Sequence, residues 1–183
     1  MQQIYLDNAA TTPVRPEVEE VMQPYFCEKY GNPSGIYKMA SECRQALETV
    51  RKQIGETLKV SAEEIYFTSG GTESDNWAIK STAQRLKEKG KHIITSKIEH
   101  HAVLNSCAYL ETQGFEVTYL DVDEWGCVRL DALQRAIRKD TILISIMYAN
   151  NEVGTIQPIG QIGKIAKEND IFFHTDAVQA YGQ

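Results

Sequence analysis

The sequence predicts an α/β fold with a largely parallel sheet and helices on both faces. Three observations point there. Short apolar runs alternate with stretches whose apolar residues recur every three or four positions. Some of the runs, such as Ile142-Leu143-Ile144-Ser145-Ile146, are apolar on both faces, as strands covered on both sides must be. One run, Ile65-Tyr66-Phe67, passes through Ser69-Gly70-Gly71 straight into a helical pattern.

Taken in order, Ile4-Tyr5-Leu6 stops at Asp7-Asn8, and the small residues and Pro13 that follow predict a loop. From Pro16 to Tyr30, Val18, Val21, Met22, Tyr25 and Phe26 recur at helical spacing, with Pro16 in the first turn. Gly31-Asn32-Pro33-Ser34-Gly35 ends that helix. Tyr37, Ala40, Cys43, Leu47, Val50, Ile54 and Leu58 then mark one face of a long amphipathic helix. A strand at 65–67 leads to a helix from Thr72 to about Lys89, carrying Trp77, Ala78, Ala83 and Leu86. Strands follow at His92–Thr95, Phe115–Tyr119, Ile142–Ile146 and Ile171–His174. Between them fall helices at Ala102–Thr112, Leu130–Arg138 and Ile162–Lys167.

Composition narrows the function. The 183 residues are 42% apolar and 24% charged, with 12 Gly and 5 Pro, which is ordinary for a soluble globular domain. A net charge of −6 and the scattered placement of Lys87, Lys89, Lys91 and Lys97 argue against a nucleic-acid surface. No apolar run approaches the roughly 20 residues of a membrane span, and no secretory or transit segment precedes Ile4, so a cytoplasmic protein is expected. Cys27, Cys43, Cys107 and Cys127 form no C-x-x-C pair, which disfavours a metal cluster or a disulfide framework. Each is expected to be a small buried apolar residue.

In open α/β sheets ligands gather past the C-terminal strand ends. The turn after Phe67 offers Gly70-Gly71-Thr72, where unpaired backbone N–H groups at a helix start suit a phosphate. By itself this stretch reads more readily as a capping box of Thr72 and Asp75, and Glu73 and Asp75 bring negative charge close to the anion's place. Past the next strands come Glu99-His100-His101, Asn150-Asn151-Glu152 and His174-Thr175-Asp176-Ala177-Val178-Gln179. Singly these are cap, surface and turn residues. Together they put a phosphate cradle, an imidazole, amides and a carboxylate at one sheet edge. A dinucleotide site is disfavoured, because no G-x-G-x-x-G follows a strand with an acidic residue about twenty positions on.

These motifs, with Tyr5-Leu6-Asp7-Asn8-Ala9-Ala10-Thr11-Thr12-Pro13, Gly31-Asn32-Pro33-Ser34, Phe67–Asn76 and Asn150–Gly154, span the chain in order. The sequence resembles the N-terminal part of the pyridoxal-phosphate-dependent cysteine desulfurases of aminotransferase class V, which supply sulfur for iron–sulfur clusters and nitrogenase. The resemblance implies an incomplete fold-type I large domain over residues 16–183, with residues 1–15 belonging to a small domain. It implies that Gly71 and Thr72 bind the phosphate of pyridoxal 5'-phosphate and that Asp176 faces the pyridine nitrogen. His100 would stack on the ring and move a proton near the substrate thiol. Gln179 would donate to the ring hydroxyl oxygen, and Asn151 would lie near that oxygen and the substrate carboxylate. His101 has no such role.

The implied reaction takes sulfur from L-cysteine onto an enzyme thiolate and releases alanine. A sulfur-acceptor or scaffold protein and a homodimer are the implied partners, the helix at Tyr37–Leu58 being a dimer interface by the same analogy. In the family, the cofactor-anchoring lysine, the nucleophilic cysteine and a substrate-binding arginine lie beyond the position of Gln183. The chain is therefore expected to be a piece of such an enzyme, inactive alone, with an open sheet edge and an uncovered apolar face. The rival readings are a class V aminotransferase, a selenocysteine lyase, or a non-catalytic homologue that only binds or dimerises.

Overall fold

A computed structural model describes residues 4–182. The backbone divides into two compact units between Phe67 and Thr68.

The first unit contains α1 (Pro16–Cys27), α2 (Lys38–Leu58) and a 3-10 turn at Ala62–Glu64. Pro16 opens α1, where its missing N–H costs nothing. The apolar face predicted for α2 is present but mostly uncovered: only Ala40, Cys43 and Gly55 are buried, and no residue of α1 is. Val21, Met22 and Tyr25 of α1 and Leu47 and Val50 of α2 line an open apolar groove. The strand expected at 65–67 is absent. Ile65 has extended dihedrals, but Tyr66 and Phe67 are exposed and the segment joins no sheet among the described residues. A β-prone run becomes a strand only where a neighbour takes its backbone groups.

The second unit opens with α3 (Gly71–Leu86), followed by β1 (His92–Ser96), α4 (His101–Thr112), β2 (Glu116–Leu120), α5 (Leu130–Ala136), β3 (Thr141–Ser145), α6 (Ile159–Glu168) and β4 (Phe172–His174). The four strands are all parallel, in the order β2-β1-β3-β4. Each element lies within a few residues of its expected place. β1 and β3 are buried at every position, as their two-sided apolar character requires.

Side-chain alternation splits the core in two. Ile93 and its register partner Leu143 pack with Ile79, Ala83, Val103, Cys107 and Leu110 of α3 and α4. Ile94 and its partner Ile144 pack on the other face with Leu133, Ile162, Ile165 and Ala166 of α5 and α6. Buried His92 ties three strands, with Nδ1 on Thr141 Oγ1 at 2.7 Å and Nε2 on Thr118 Oγ1 at 2.8 Å. Burial holds its pKa below the usual imidazole value. Gly90 lets the turn before β1 approach the turn before β3, since a Cβ there would stand 2.2 Å from the Asp140 carbonyl oxygen.

No helix among the described residues is long and apolar enough to cross a membrane. Ile144→Ala is expected to cost about 2–5 kcal/mol in urea unfolding, because it empties a fully buried site. Exposed Ile156→Ala should stay within about 0.5 kcal/mol.

Candidate active site at the strand ends

Strand order fixes where a ligand site can form. β1 sends its chain outward to β2 through α4, whereas β3 sends its chain to β4 through α6, away from β1. The two connections lie on opposite faces, leaving a crevice beyond the C-terminal ends of β1 and β3.

The floor of the crevice is a polar row. Thr95, Ser145 and His174 are register neighbours across β1, β3 and β4. Thr95 Oγ1 donates to the Ser145 carbonyl at 2.9 Å, and Ser145 Oγ lies 2.9 Å from His174 Nδ1. On its other side, His174 Nε2 stands 3.5 Å from Asp75 Oδ1. Burial lowers the His174 pKa, which disfavours a charged imidazolium beside Asp75.

Asp75 is not half of a capping box. α3 begins at Gly71, with Gly70 as its N-cap and no side-chain cap bond there. Asp75, Ile79 and Ala83 repeat every fourth residue on the helix face turned to the sheet, which leaves Asp75 only 4% exposed. Trp77 lies on the exposed side. Glu73 turns back onto Ser69, accepting from its N–H at 2.6 Å and its hydroxyl at 2.7 Å. Gly71 and Thr72 therefore hold the first-turn positions, where backbone N–H groups have no intrahelical acceptor. A Cβ on Gly71 would come 2.7 Å from Val178 Cγ2, so glycine lets the helix start meet the segment after β4.

That segment carries Asp176, 9% exposed, whose Oδ1 accepts from the Val178 N–H at 3.0 Å. Its main chain is fixed by Tyr148 N–H donating to the Asp176 carbonyl at 2.7 Å. His100 is the N-cap of α4, and its Nδ1 accepts from the Ala102 N–H at 3.1 Å. In the neutral ring the proton then sits on Nε2. Ligating atoms of Asp75, His100 and Asp176 all lie within 4.8 Å of one another.

Asn151 is half-buried in the turn past β3, a turn organised by its neighbour. Asn150 Oδ1 accepts from the Glu152 and Val153 N–H groups at 2.8 Å each. Gln179 is half-buried in the turn beyond Asp176. His101 is exposed, in the first turn of α4.

Three residues that the sequence places in motifs but gives no role of their own lie at the site: Asp75, Glu99 and His174. Asp75 could have been found from its place in the 75–79–83 repeat. Glu99, 5% exposed, accepts from Ser96 Oγ at 2.6 Å and from the Met147 N–H. Burial pushes the Asp75 carboxyl up to about 7, with the Asp176 charge adding to it. Burial likewise pushes Glu99 up to about 7, against the lowering effect of its two hydrogen bonds. The crevice thus holds closely spaced buried carboxyls that a cationic partner would relieve.

The fold is thus an α/β one, with a parallel sheet, a helix start rich in unpaired backbone N–H groups and an acidic strand-end pocket. The chain belongs to the class V aminotransferase family, whose model matches residues 4–183. It is 64% identical over 179 residues to the cysteine desulfurase IscS of Methanosarcina thermophila, covering 98% of this chain and 44% of that protein. It is 60% identical over 181 residues to the IscS of Dictyoglomus turgidum, covering 99% and 46%. Among solved structures it resembles a NifS-like protein, with TM-score 0.95, 44% identity and coverage of 98% of this chain and 50% of the other. SspA in complex with cysteine gives TM-score 0.93 and 45% identity, covering 97% and 51%. The chain spans about half the length of these relatives.

The raised Asp75 carboxyl sets a pH dependence. The folded chain holds a proton there between the unfolded aspartate value of 3.8 and about 7, and the unfolded chain does not. The Asp75 contribution to stability is therefore fully present below that window and is lost as pH rises through it, at up to about 1.4 kcal/mol per pH unit. Asp75→Asn should remove one proton's share of the slope in urea melts at successive pH values.

Proposed function

We propose that this chain supplies the cofactor-holding half of a cysteine desulfurase active centre. The observation that carries the reading is the convergence of Asp75, His100 and Asp176 beside the start of α3. Pyridoxal 5'-phosphate fits such a pocket at both ends. Its phosphate suits the Gly71 and Thr72 N–H groups, which lie in the first turn of α3 and have no intrahelical acceptor. Its ring nitrogen, when protonated, is the cation that the buried carboxyls call for, with Asp176 as the partner. Asn151 would meet the ring oxygen and the substrate carboxylate, and Gln179 would donate to the ring oxygen.

When bound, the cofactor supplies an electron sink for negative charge at the substrate Cα. The chain's own groups do the rest. Asp176, oriented by the Val178 N–H, would accept from the protonated ring nitrogen and so favour its charged form. His174, neutral and fixed by Ser145, backs Asp75 without adding a competing positive charge. His100, with Nδ1 accepting from the Ala102 N–H at the start of α4, would stack on the ring and offer a proton at Nε2.

The substrate is L-cysteine and the products are alanine and a protein-bound persulfide, passed to an acceptor or scaffold protein for iron–sulfur cluster synthesis. By the family resemblance none of the four cysteines here is the attacking thiol, and burial disfavours two of them. Cys43 and Cys107 are buried, and burial pushes the Cys107 thiol up to about 12, away from the reactive thiolate. Four free cysteines suit a reducing cytoplasm, and the working protein is a homodimer.

The test uses the protein that carries this chain together with the length its relatives add. Loaded with pyridoxal phosphate and given L-cysteine, it should release alanine and sulfide. His100→Ala should lower kcat by about 10²–10⁴-fold, while Lys164→Ala on the exposed side of α6 should leave it unchanged. Failure of the native protein to desulfurate L-cysteine would sink the reading.

A further inference from the structure

We propose that Glu99 is a positioning residue: its buried carboxyl straps the loop after β1 to the end of β3 and thereby sets where His100 stands in the crevice. The inference rests on the cofactor reading above and concerns a residue to which that reading gives no role.

The geometry is specific. Glu99 immediately precedes His100, yet its side chain points into the protein rather than the crevice mouth. Oε1 accepts from Ser96 Oγ at 2.6 Å, within the loop, and both oxygens face the Met147 N–H across the crevice, at 3.1 and 3.0 Å. Met147 directly follows Ile146 beyond β3; the flanking Ile146 and Tyr148 N–H groups donate to the His174 and Asp176 carbonyls, and the Met147 N–H between them finds its acceptor in Glu99. A carboxyl is long enough to reach it from β1. A second tie runs alongside, with Asn150 Nδ2 donating to the Ile98 carbonyl at 2.8 Å. Lys97 anchors the outer side of the same loop, through Lys97 N–H to the Leu120 carbonyl at 3.0 Å and Lys97 Nζ to Asp121 at 2.6 Å. The exposed Lys97–Asp121 pair is weak by its nature. The buried tie is the one that joins the His100 side of the crevice to the β3 side, beside the strand that pairs with the Asp176 segment.

Reach and charge make different demands on the side chain, and two variants separate them. Glu99→Gln keeps the length: its carbonyl oxygen can accept from Met147 N–H and its amide can donate to Ser96 Oγ. Near neutral pH Glu99 already carries its proton much of the time, so the neutral amide is a close stand-in. Glu99→Asp keeps the charge but is one methylene short of Met147. A strap predicts that Gln rescues and Asp fails, whereas an electrostatic role predicts the reverse.

The experiment titrates the chain with pyridoxal phosphate and, separately, with inorganic phosphate, following intrinsic fluorescence. Phosphate tests the α3 start alone, which Glu99 does not touch. Glu99→Asp should weaken pyridoxal phosphate about tenfold, the worth of one buried hydrogen bond, and leave inorganic phosphate unchanged. Glu99→Gln should match the native chain for both ligands. Equal losses in the two variants, a loss in Gln only, or no loss in Asp would each overturn the proposal. Should the native chain bind no pyridoxal phosphate, the cofactor reading fails. The strap is then judged from the His100 ring resonances of the ligand-free chain, which must shift in Glu99→Asp and stay in place in Glu99→Gln. If Glu99→Asp does not fold, by circular dichroism, an unmoved His100 in Glu99→Gln supports the strap and a moved one overturns it.

Discussion

Neighbouring parallel strands β1 and β3 send their chains away from each other, and the rest of the second unit follows from that divergence. A parallel connection needs a helix to return the chain, and right-handed crossovers place the two helices on opposite faces of the sheet. The chains leaving β1 and β3 diverge and leave a crevice between them. The Met147 N–H and the Ile98 carbonyl find side-chain partners there, in Glu99 and Asn150. The same exit turns His100 into the first cap of α4 and so fixes which of its ring nitrogens carries the proton.

The electrostatics of the crevice follow from helix periodicity meeting strand order. α3 turns every fourth residue to the sheet, which brings Asp75 inward in line with Ile79 and Ala83. β4, paired on β3, brings His174 beneath it and Asp176 beside it. Buried carboxyls held this close resist ionising together, and they do so at the cost of stability at neutral pH. Such an arrangement makes sense as a receptor for positive charge. It also separates the two ends of the pocket: backbone N–H groups at the start of α3 for an anion, side-chain carboxyls deeper in for a cation.

Most elements of the second unit were legible in the sequence, to within a few residues at their ends. The exceptions are instructive. The run 65–67 has strand composition but joins no ladder among the described residues, and composition cannot supply a partner. The face predicted on α2 is real, yet apolar spacing says which side of a helix wants cover, not what covers it. The cysteines divide likewise: Cys43 and Cys107 are buried as expected, while Cys27 is exposed and Cys127 only partly covered. Of the residues assigned to the site, Gly71, His100 and Asp176 could be placed by their position just past apolar runs. Asp75 was misread as a cap because Thr72 and Asp75 have capping-box spacing, a local pattern that the start of the helix at Gly71 overrides.

By itself, then, the sequence determined the succession of helices and strands, the glycines at the start of α3, and the polar residues that follow each strand. These depend on periodicity and on neighbours a few positions away, which are written directly in the chain. Only the tertiary structure decided that Asp75 lies buried against His174, that Asp176 stands within reach of both Asp75 and His100, and that Glu99 spans to Met147. Those relations depend on strand order and register, which join residues from 48 (Glu99 and Met147) to about a hundred positions apart. No local signal fixes them, because the same elements in another order would leave every one of these side chains facing a different neighbour.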